Sequence, residues 1–296
     1  MFTIEQIESL FGQETKNYLQ NKNRGGINGE KGSTYENHHA LYQVAILARN
    51  LIEFGQDTLI CSQGLAFVDD LVVDRGADNP LRNYQLKNSS TVFWGQGDKS
   101  IQDDFCKQHI LNQAILRGSE LYLVVSDSAL QRTLSKNCPE SIRDFSQVVY
   151  FPYQKQLSKL LESFSDLKEA IQYLCPFEEV DKVECAAGVL LGAITSSDRS
   201  NLSVREILEK ASAFSPSYIR SLGDELSIDP QVAIILSNIK DFTYNVSKGF
   251  LSWDYGGGIF TGTVTHRIDS ESFGKLQRLV KQFKPTSFAD IQDFLL

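Results

Sequence analysis

The chain has 296 residues, of which 42% are hydrophobic and 22% are charged, so it can bury a sizeable core without disulfides or metals. This composition excludes disordered and fibrous proteins. The net charge of −8 excludes a protein whose whole surface binds nucleic acid, although a local basic groove stays compatible with it.

Cysteine content and apolar run length indicate where the protein works. The five cysteines are odd in number and include no C-x-x-C pair, so neither a disulfide framework nor a zinc knuckle is expected. The longest run of apolar or small residues, 186–194, has nine residues, far fewer than the ~20 that span a bilayer. Residues 1–11 lack the basic region and cleavage site of a signal peptide. We therefore expect a cytoplasmic protein with no membrane partner.

The first part of the chain alternates between helix and strand patterns. Helices are predicted at about residues 34–54, 100–116 and 154–173, and extended segments at 58–74, 81–89, 121–125 and 147–150, with a further helix between the last two. Residues 74–80 are rich in turn formers and join two of the extended segments into an antiparallel hairpin. This order predicts an α/β fold in which helices flank a mixed sheet.

The patterns change near residue 175, where we place a boundary between domains of residues 1–175 and 176–296. The second part is predicted to contain helices at 183–194 and 204–211, a third that starts near Ser215 with Pro216 in its first turn, and a β-hairpin of residues 242–246 and 250–255. Three helices followed by a hairpin are typical of a winged helix. We expect a mainly helical, winged-helix-like domain.

The residues with the clearest chemistry lie on the predicted hairpin. Asp69 and Asp70 lie in the first extended segment, just before Leu71-Val72-Val73, and Gln85 and Lys87 lie two residues apart on the next, so that the side chains of Gln85 and Lys87 share a face. A carboxylate with further oxygen ligands can hold Mg²⁺. A nearby lysine can orient or deprotonate the attacking water and offset charge at phosphorus. The pattern therefore indicates hydrolysis of a phosphodiester.

This arrangement resembles the PD-(D/E)xK nuclease superfamily, whose core is an acid on one strand and an acid-x-lysine on the next. It is similar above all to the branch with Gln in place of the second acid, found in the CD-NTase-associated endonucleases of bacterial anti-phage systems. The resemblance covers roughly residues 24–130. It includes a glycine-rich stretch and an aromatic residue at the start of the first helix, here Gly25-Gly26, Lys31-Gly32 and Tyr35-Glu36.

The resemblance implies a restriction-endonuclease-like sheet and cleavage of DNA with Mg²⁺, for which Mn²⁺ can substitute. By this likeness Asp70 is the metal-binding acid, Gln85 completes the metal shell at the second-acid position, Lys87 is the catalytic lysine, and Glu36 is the acid from the first helix. It also implies an effector of anti-phage (antiviral) defence that is regulated as a homo-oligomer or by a companion defence protein.

Structural alternatives stay open for each of these residues. A register shift of one residue would turn Asp69, rather than Asp70, toward the site. Gln85 and Lys87 are also compatible with the polar face of a half-exposed hairpin. The segment that ends at Glu36 also matches a capping box, in which the glutamate bonds a backbone N–H. Because an amide is a weaker Mg²⁺ ligand than a carboxylate, metal affinity is expected to depend on Asp70 and Glu36.

The second part offers candidate nucleic-acid contacts. Tyr218 and Arg220 lie on the predicted third helix, and Lys275 and Arg278 lie on the basic face of a C-terminal helix. A winged helix can place such residues in the major groove. A basic helix face is also typical of a helix that is simply exposed to solvent, and many winged-helix folds bind proteins rather than DNA. The alternative to a nuclease is therefore a non-catalytic DNA-binding or adaptor protein with a degenerate nuclease core.

Overall fold

A computed structural model describes residues 3–25, 30–198, 200–222 and 226–295, so residues 26–29 of the glycine-rich stretch lie outside the described part. The chain forms two compact units, residues 1–168 with 190–207 and residues 169–189 with 208–296. The chain first leaves the first unit after residue 168. The boundary predicted at residue 175 falls in the segment that follows, residues 169–189. Among the described residues, no helix is both long and apolar enough to cross a membrane.

The first unit contains a mixed six-stranded sheet in the order β5-β4-β3-β2-β1-β6. Strands β3, β4 and β5 are parallel, whereas β2 is antiparallel to both β1 and β3. The predicted α/β fold with a mixed sheet and flanking helices is confirmed. The strands are β1 (Leu59–Cys61), β2 (Leu71–Asp74), β3 (Leu81–Lys87), β4 (Ser119–Val125), β5 (Ser146–Tyr150) and β6 (Leu202–Ser203).

Helices precede, follow and connect these strands. Ser100 and Asp127 cap α3 and α4 through their side chains, as expected for residues that precede a helix. The helices that begin before residue 169 are α1 (Ile4–Gly25), α2 (Glu30–Phe54), α3 (Ile101–Ala114), α4 (Ser128–Lys136), α5 (Leu157–Ser163) and α6 (Ser165–Leu174). The chain then continues into α7 (Val180–Thr195) and α8 (Val204–Phe214).

Two predicted elements of this unit are each divided in the structure. The extended segment at 58–74 consists of β1 and β2, and residues 62–70 between them form a loop in which Gln63 has a φ of 53°. The helix at 154–173 consists of α5 and α6, because Phe164 has φ −131° and ψ 92°. The ring of Phe164 packs against Tyr42 and Phe151 at centroid distances of 5.0 and 5.4 Å. Tertiary packing therefore overrides local helix propensity there.

The capping-box interpretation of Glu36 is wrong. Helix α2 begins at Glu30, so Ser33 lies within the helix rather than at its start. The Glu36 carboxylate instead accepts a hydrogen bond, to Oε2, from Nε2 of Gln63 at 3.0 Å. Glu36 is thus directed toward the loop between β1 and β2.

The two faces of strand β3 differ in chemistry. On one face, the ring of Tyr84 stacks on Tyr122 at 4.7 Å and lies 5.1 Å from the ring of His39 on α2. On the other face, the buried amides of Asn83 and Gln85 are directed toward α3 and the loop that precedes β2. Alternation along the strand therefore separates an aromatic layer from a polar one.

The second unit contains a three-stranded antiparallel sheet in the order β7-β8-β9. The two strands predicted as a hairpin correspond to β7 and β8. Its core includes the buried side chains of Val232, Leu251 and Phe273. The strands are β7 (Phe242–Ser247), β8 (Phe250–Tyr255) and β9 (Phe260–Thr263), and the helices are α9 (Pro230–Ser237), α10 (Glu271–Phe283) and α11 (Phe288–Leu295).

The predicted helix near Ser215 is wrong. Residues 216–219 form a turn, in which the N–H of Tyr218 donates to the carbonyl of Ser215 at 3.2 Å. Two residues later, the backbone N–H of Arg220 donates to the carbonyl of Leu174 at 2.9 Å. Because this donor is used outside the segment, the first turn does not propagate into a helix.

We predict that His39 makes stability depend on pH. Burial lowers the pKa of His39 to about 3, whereas in the unfolded chain it titrates near 6.5. The unfolded state therefore binds more protons as the pH falls below about 6.5 toward 3, and the free energy of unfolding should decrease. This residue should account for a loss of about 1 kcal/mol between about pH 7 and pH 5.5, measured by urea unfolding.

The His39→Phe variant, which keeps a ring in the aromatic layer, should lose less stability than the wild type over this pH interval. His266→Phe is the matched control, because His266 is exposed. An equal pH dependence in His39→Phe and in the wild type would contradict a neutral buried His39.

Candidate functional site

Asp70 and Gln85 form the centre of the site. The register of β2 with β3 places Asp70, the residue before β2, opposite Gln85. Nε2 of Gln85 donates to Oδ2 of Asp70 at 2.5 Å, and the backbone N–H of Leu86 donates to the same oxygen at 2.6 Å. Lys87 follows Gln85 at a spacing of two, so it leaves β3 on the same face. The structure therefore brings together the acid, the amide and the lysine.

A second lysine, Lys22 from α1, belongs to the same cluster. Its Nζ donates to the carbonyl of Phe67 at 2.6 Å, to Oδ2 of Asp104 at 2.8 Å and to Oε1 of Gln85 at 3.0 Å. An ammonium group has three N–H donors, so these contacts use all of them. Neither Lys22 nor Asp104 was predicted from the sequence, although the adjacent acids in the first turn of α3 are a local signal for Asp104.

Charged and polar neighbours hold Lys22 as an ammonium. Burial alone would lower the pKa of Lys22, but Asp104 and Asp69 outweigh it, and the pKa is raised. Burial also raises the pKa of Asp104, against the effect of Lys22. The hydroxyl of Tyr18 lies 3.4 Å from both carboxylate oxygens of Asp104. Burial, with the charge of Asp104, raises the pKa of Tyr18 to about 12, so the hydroxyl stays protonated and acts as a donor.

Asp69 is a buried carboxyl group beside Asp70. It is 5% exposed, and its Oδ1 has no hydrogen-bond partner among the described residues. Burial raises the pKa of Asp69 to about 7, the charge of Asp70 adds to the rise, and Lys22 and Lys87 oppose it. An unpartnered buried carboxylate is costly, so this position favours either a proton or a cation.

Buried amides fix the loop that carries Asp69 and Asp70. The backbone N–H groups of Phe67 and Val68 donate to Oε1 of Gln108 at 2.8 and 3.2 Å. Nδ2 of Asn83 donates to the carbonyl of Val68 at 3.1 Å, and Oδ1 of Asn83 accepts from Asn112 at 3.2 Å. Strand β3 and helix α3 thus position the loop backbone through side chains.

Glu36 reaches the site through a glutamine. Gln63 donates from its side chain to Glu36 at 3.0 Å and from its backbone N–H to the carbonyl of Asp69 at 2.8 Å. Gln63 was not singled out from the sequence, because it lies in a segment predicted to be extended. The structure therefore connects Glu36 to the loop that bears the two aspartates.

The oxygen donors of the site fit a hard cation in part. Within the described residues, no three His, Cys, Asp or Glu side chains are arranged to hold a metal ion. Asp69 and Asp70 are nevertheless sequence neighbours that carry carboxylates, the donors that Mg²⁺ prefers, and Oδ1 of Asp69 has no hydrogen-bond partner in the described part of the chain. Oε1 of Gln85 is engaged by Lys22. The chemistry of the two aspartates thus fits such an ion. The predicted ligand Gln85 could bind it through Oε1 only if Lys22 no longer donated to that oxygen.

Tyr218 and Arg220, predicted to contact nucleic acid, pack within the second unit. The guanidinium of Arg220 lies 4.6 Å from the ring centre of Tyr173. The ring of Tyr218 is half-buried, 6.4 Å from that of Phe177. These contacts give Tyr218 a structural role within the turn at residues 216–219 and Arg220 a structural role directly after it.

Lys275 and Arg278 are exposed on α10. Lys275 forms an ion pair at 3.3 Å with Glu271, one turn earlier on the helix. An exposed pair of this kind contributes little to stability. Both cations are therefore accessible to a partner, and their predicted contact with nucleic acid stays a prediction.

Comparisons with known proteins give limited similarity. No family model and no curated protein sequence matches the chain. Similar solved structures include the Cap4 SAVED/CARF-domain containing receptor of Acinetobacter baumannii with the cyclic trinucleotide 2'3'3'-cAAA, at 15% identity and a TM-score of 0.36, over 58% of this chain and 44% of that one. The same receptor with 3'3'3'-cAAA matches at 15% identity and a TM-score of 0.35, over 57% and 43%.

The matched region is therefore less than half of the receptor's length. Because both TM-scores are low, nothing about the function of this chain follows from them.

We predict that the Gln108→Leu variant is destabilised by about 2 to 3 kcal/mol, because it leaves two buried backbone N–H groups without an acceptor. Chemical unfolding measures this loss. Gln113→Leu, at an exposed position of the same helix, is the matched control and should unfold like the wild type. Equal stability of the two variants would show that Gln108 does not hold the loop.

Proposed function

We propose that this protein is a divalent-metal-dependent endonuclease that hydrolyses phosphodiester bonds of DNA. The observation that supports this most is the hydrogen bond between Asp70 and Gln85 at the same end of two paired strands, beside Lys87. An acid and a Q-x-K strand in this relation are what the PD-(D/E)xK resemblance requires. We accordingly propose a restriction-endonuclease-like core for the first unit.

Lys87 is the lysine that has donors available for substrate. Within the part of the chain that the structure describes, it makes no hydrogen bond or ion pair, whereas Lys22 uses all three of its N–H groups. Its ammonium can therefore donate to a phosphate oxygen and to the attacking water. A cation at this point offsets the negative charge that develops at phosphorus.

Asp69 and Asp70 are the residues that would hold the metal, with Glu36 connected to the same loop. A divalent cation bound there would polarise the phosphoryl oxygen and lower the pKa of a bound water. Gln85 keeps the Asp70 carboxylate in place by donating to one of its oxygens. The loop amides fix the backbone, so the site needs little rearrangement when substrate binds.

The role of the second unit belongs to the same proposal. It contains short helices, a three-stranded sheet and the exposed cations of α10, which support a winged-helix-like module that contacts DNA. A setting in anti-phage defence, and regulation by a homo-oligomer or a companion protein, rest on the family resemblance alone.

We predict that the wild-type protein cleaves supercoiled plasmid in the presence of Mg²⁺ or Mn²⁺ and that chelation stops the reaction. Asp70→Asn and Lys87→Met should each lower the rate at least about 100-fold, since one removes a metal-binding charge and the other the cation that faces phosphorus. Gel electrophoresis of the plasmid measures the loss. Lys136→Met, at an exposed position of α4, is the control and should cleave normally.

Cleavage that persists in both Asp70→Asn and Lys87→Met would contradict this site. A wild-type protein that binds plasmid but leaves it intact with either metal would favour the alternative, a non-catalytic DNA-binding or adaptor protein.

We further predict that the double variant Lys275→Glu/Arg278→Glu binds DNA about tenfold more weakly, with a smaller dependence on salt, because fewer phosphate contacts release fewer counterions. Fluorescence anisotropy in chelator, at two salt concentrations, measures both quantities without cleavage. Lys240→Glu, an exposed lysine of the same unit, is the control. The control changes the net charge by half as much, so a loss of half the binding free energy or more in it would point to net charge rather than to α10.

A further inference from the structure

The ammonium of Lys22 lies among oxygen atoms from three separate segments. These are the carbonyl of Phe67 in the loop, the amide of Gln85 on β3 and the carboxylate of Asp104 on α3, at 2.6 to 3.0 Å. The side chains of Lys22 and Asp104 are only 19% and 7% exposed. Carbonyl, amide and carboxylate oxygens are also the ligands of hard metal cations in proteins. Lys22 thus occupies an oxygen-lined position that favours a cation.

The contact with Lys22 also sets the orientation of the Gln85 amide. The reverse orientation would place the amide oxygen against the carboxylate of Asp70 and the NH₂ group against an ammonium, so the partners define which atom is which. In the orientation present, the oxygen is directed to Lys22 and the nitrogen to Asp70. While this holds, Gln85 cannot share a metal with Asp70.

Helix α1 keeps Lys22 at this position. The helix consists of two segments joined at Gly12, and the second segment carries Tyr18, Leu19 and Lys22. Tyr18 and Lys22 are one turn apart, so they share the face that contacts Asp104. Leu19 is 1% exposed and packs in the core. Only the charged end of Lys22 therefore has to move for its three oxygens to become accessible.

We propose that Lys22 is a positioning residue that takes the place of a cation in this site, and that Gln85 becomes a metal ligand only when the Lys22 ammonium leaves. This inference rests on the proposed function and deepens it. With Lys22 in place, the metal is held at Asp69 and Asp70. Lys22 and the divalent cation compete for the oxygen of Gln85, which makes the contact an internal inhibitor of metal binding.

Mn²⁺ binding in the absence of DNA tests the proposal, measured by calorimetry and by the loss of the free-ion electron paramagnetic resonance signal. Lys22→Met should bind Mn²⁺ about tenfold more tightly than the wild type, because the oxygens of Gln85 and Asp104 become ligands. In the double variant Lys22→Met/Asp104→Asn, one positive and one negative charge are removed together. Coulomb attraction alone therefore predicts no change there, whereas the proposal predicts tighter binding by several-fold.

Lys87→Met is the matched charge control. It removes a positive charge that acts on Asp69 and Asp104 but that, in the described structure, forms no hydrogen bond with Gln85, so it should tighten Mn²⁺ binding less than Lys22→Met does. The double variant also guards against misfolding, because it removes both charges of the Lys22–Asp104 ion pair and leaves neither partner unpaired. Circular dichroism verifies the fold of each variant.

The outcomes separate the two proposals. Binding of Mn²⁺ by the wild type that is unchanged or weaker in both Lys22 variants would overturn the role of Lys22 and leave the nuclease proposal in place. Equal tightening by Lys87→Met and Lys22→Met would overturn it as well, in favour of net charge. If neither the wild type nor Lys22→Met binds Mn²⁺, both proposals are wrong.

Discussion

The side-chain amide of Gln85 is 2% exposed and bridges two opposite charges, the carboxylate of Asp70 and the ammonium of Lys22. In a buried, low-dielectric setting such a bridge is strong while both partners are present and costly when either is missing. It joins α1, the loop before β2 and strand β3, which are distant in the sequence. A register shift of one residue in β3 would turn this amide to the aromatic face and break both hydrogen bonds.

The polar layer between β3 and α3 is a consequence of the loop at residues 62–70. A loop that approaches the core cannot pair its backbone within a sheet, yet its N–H and C=O groups still need partners. Gln108 and Asn83 supply them at Phe67 and Val68. Buried amides are suited to this task because each carries both donors and an acceptor without adding charge. The same amides fix the backbone that carries the two aspartates.

The parts of the site that the sequence could predict are those fixed by local signals. Turn formers between two strands and a spacing of two define the hairpin, and so Asp70 and Gln85 meet as expected. Lys22 could not be found in this way, because 63 residues separate it from Gln85 and a helical pattern shows which face is buried but not what that face contacts.

A similar limit explains why the helix predicted near Ser215 is a turn in the structure. Ser215 and Pro216 are equally suited to begin a helix or to form a single turn, so their local signal does not distinguish the two. The contact of the Arg220 backbone with Leu174 decides between them. A local sequence pattern cannot predict a tertiary hydrogen bond of this kind, because its two partners are distant in the sequence.

The amide at position 85 changes what the site requires before a metal arrives. A carboxylate there would face Asp70 at hydrogen-bond distance, and two carboxylates so close cannot both ionise without a cation between them. Gln85 instead donates to Asp70, so the hairpin closes without metal. Lys22 meanwhile offsets the buried charge of Asp104. The cost of this arrangement is metal affinity, because the amide oxygen is a weaker ligand and is directed to an ammonium. The side chains of such a site are in place before a metal binds. Whatever displaces Lys22 would then control how tightly the site binds the metal.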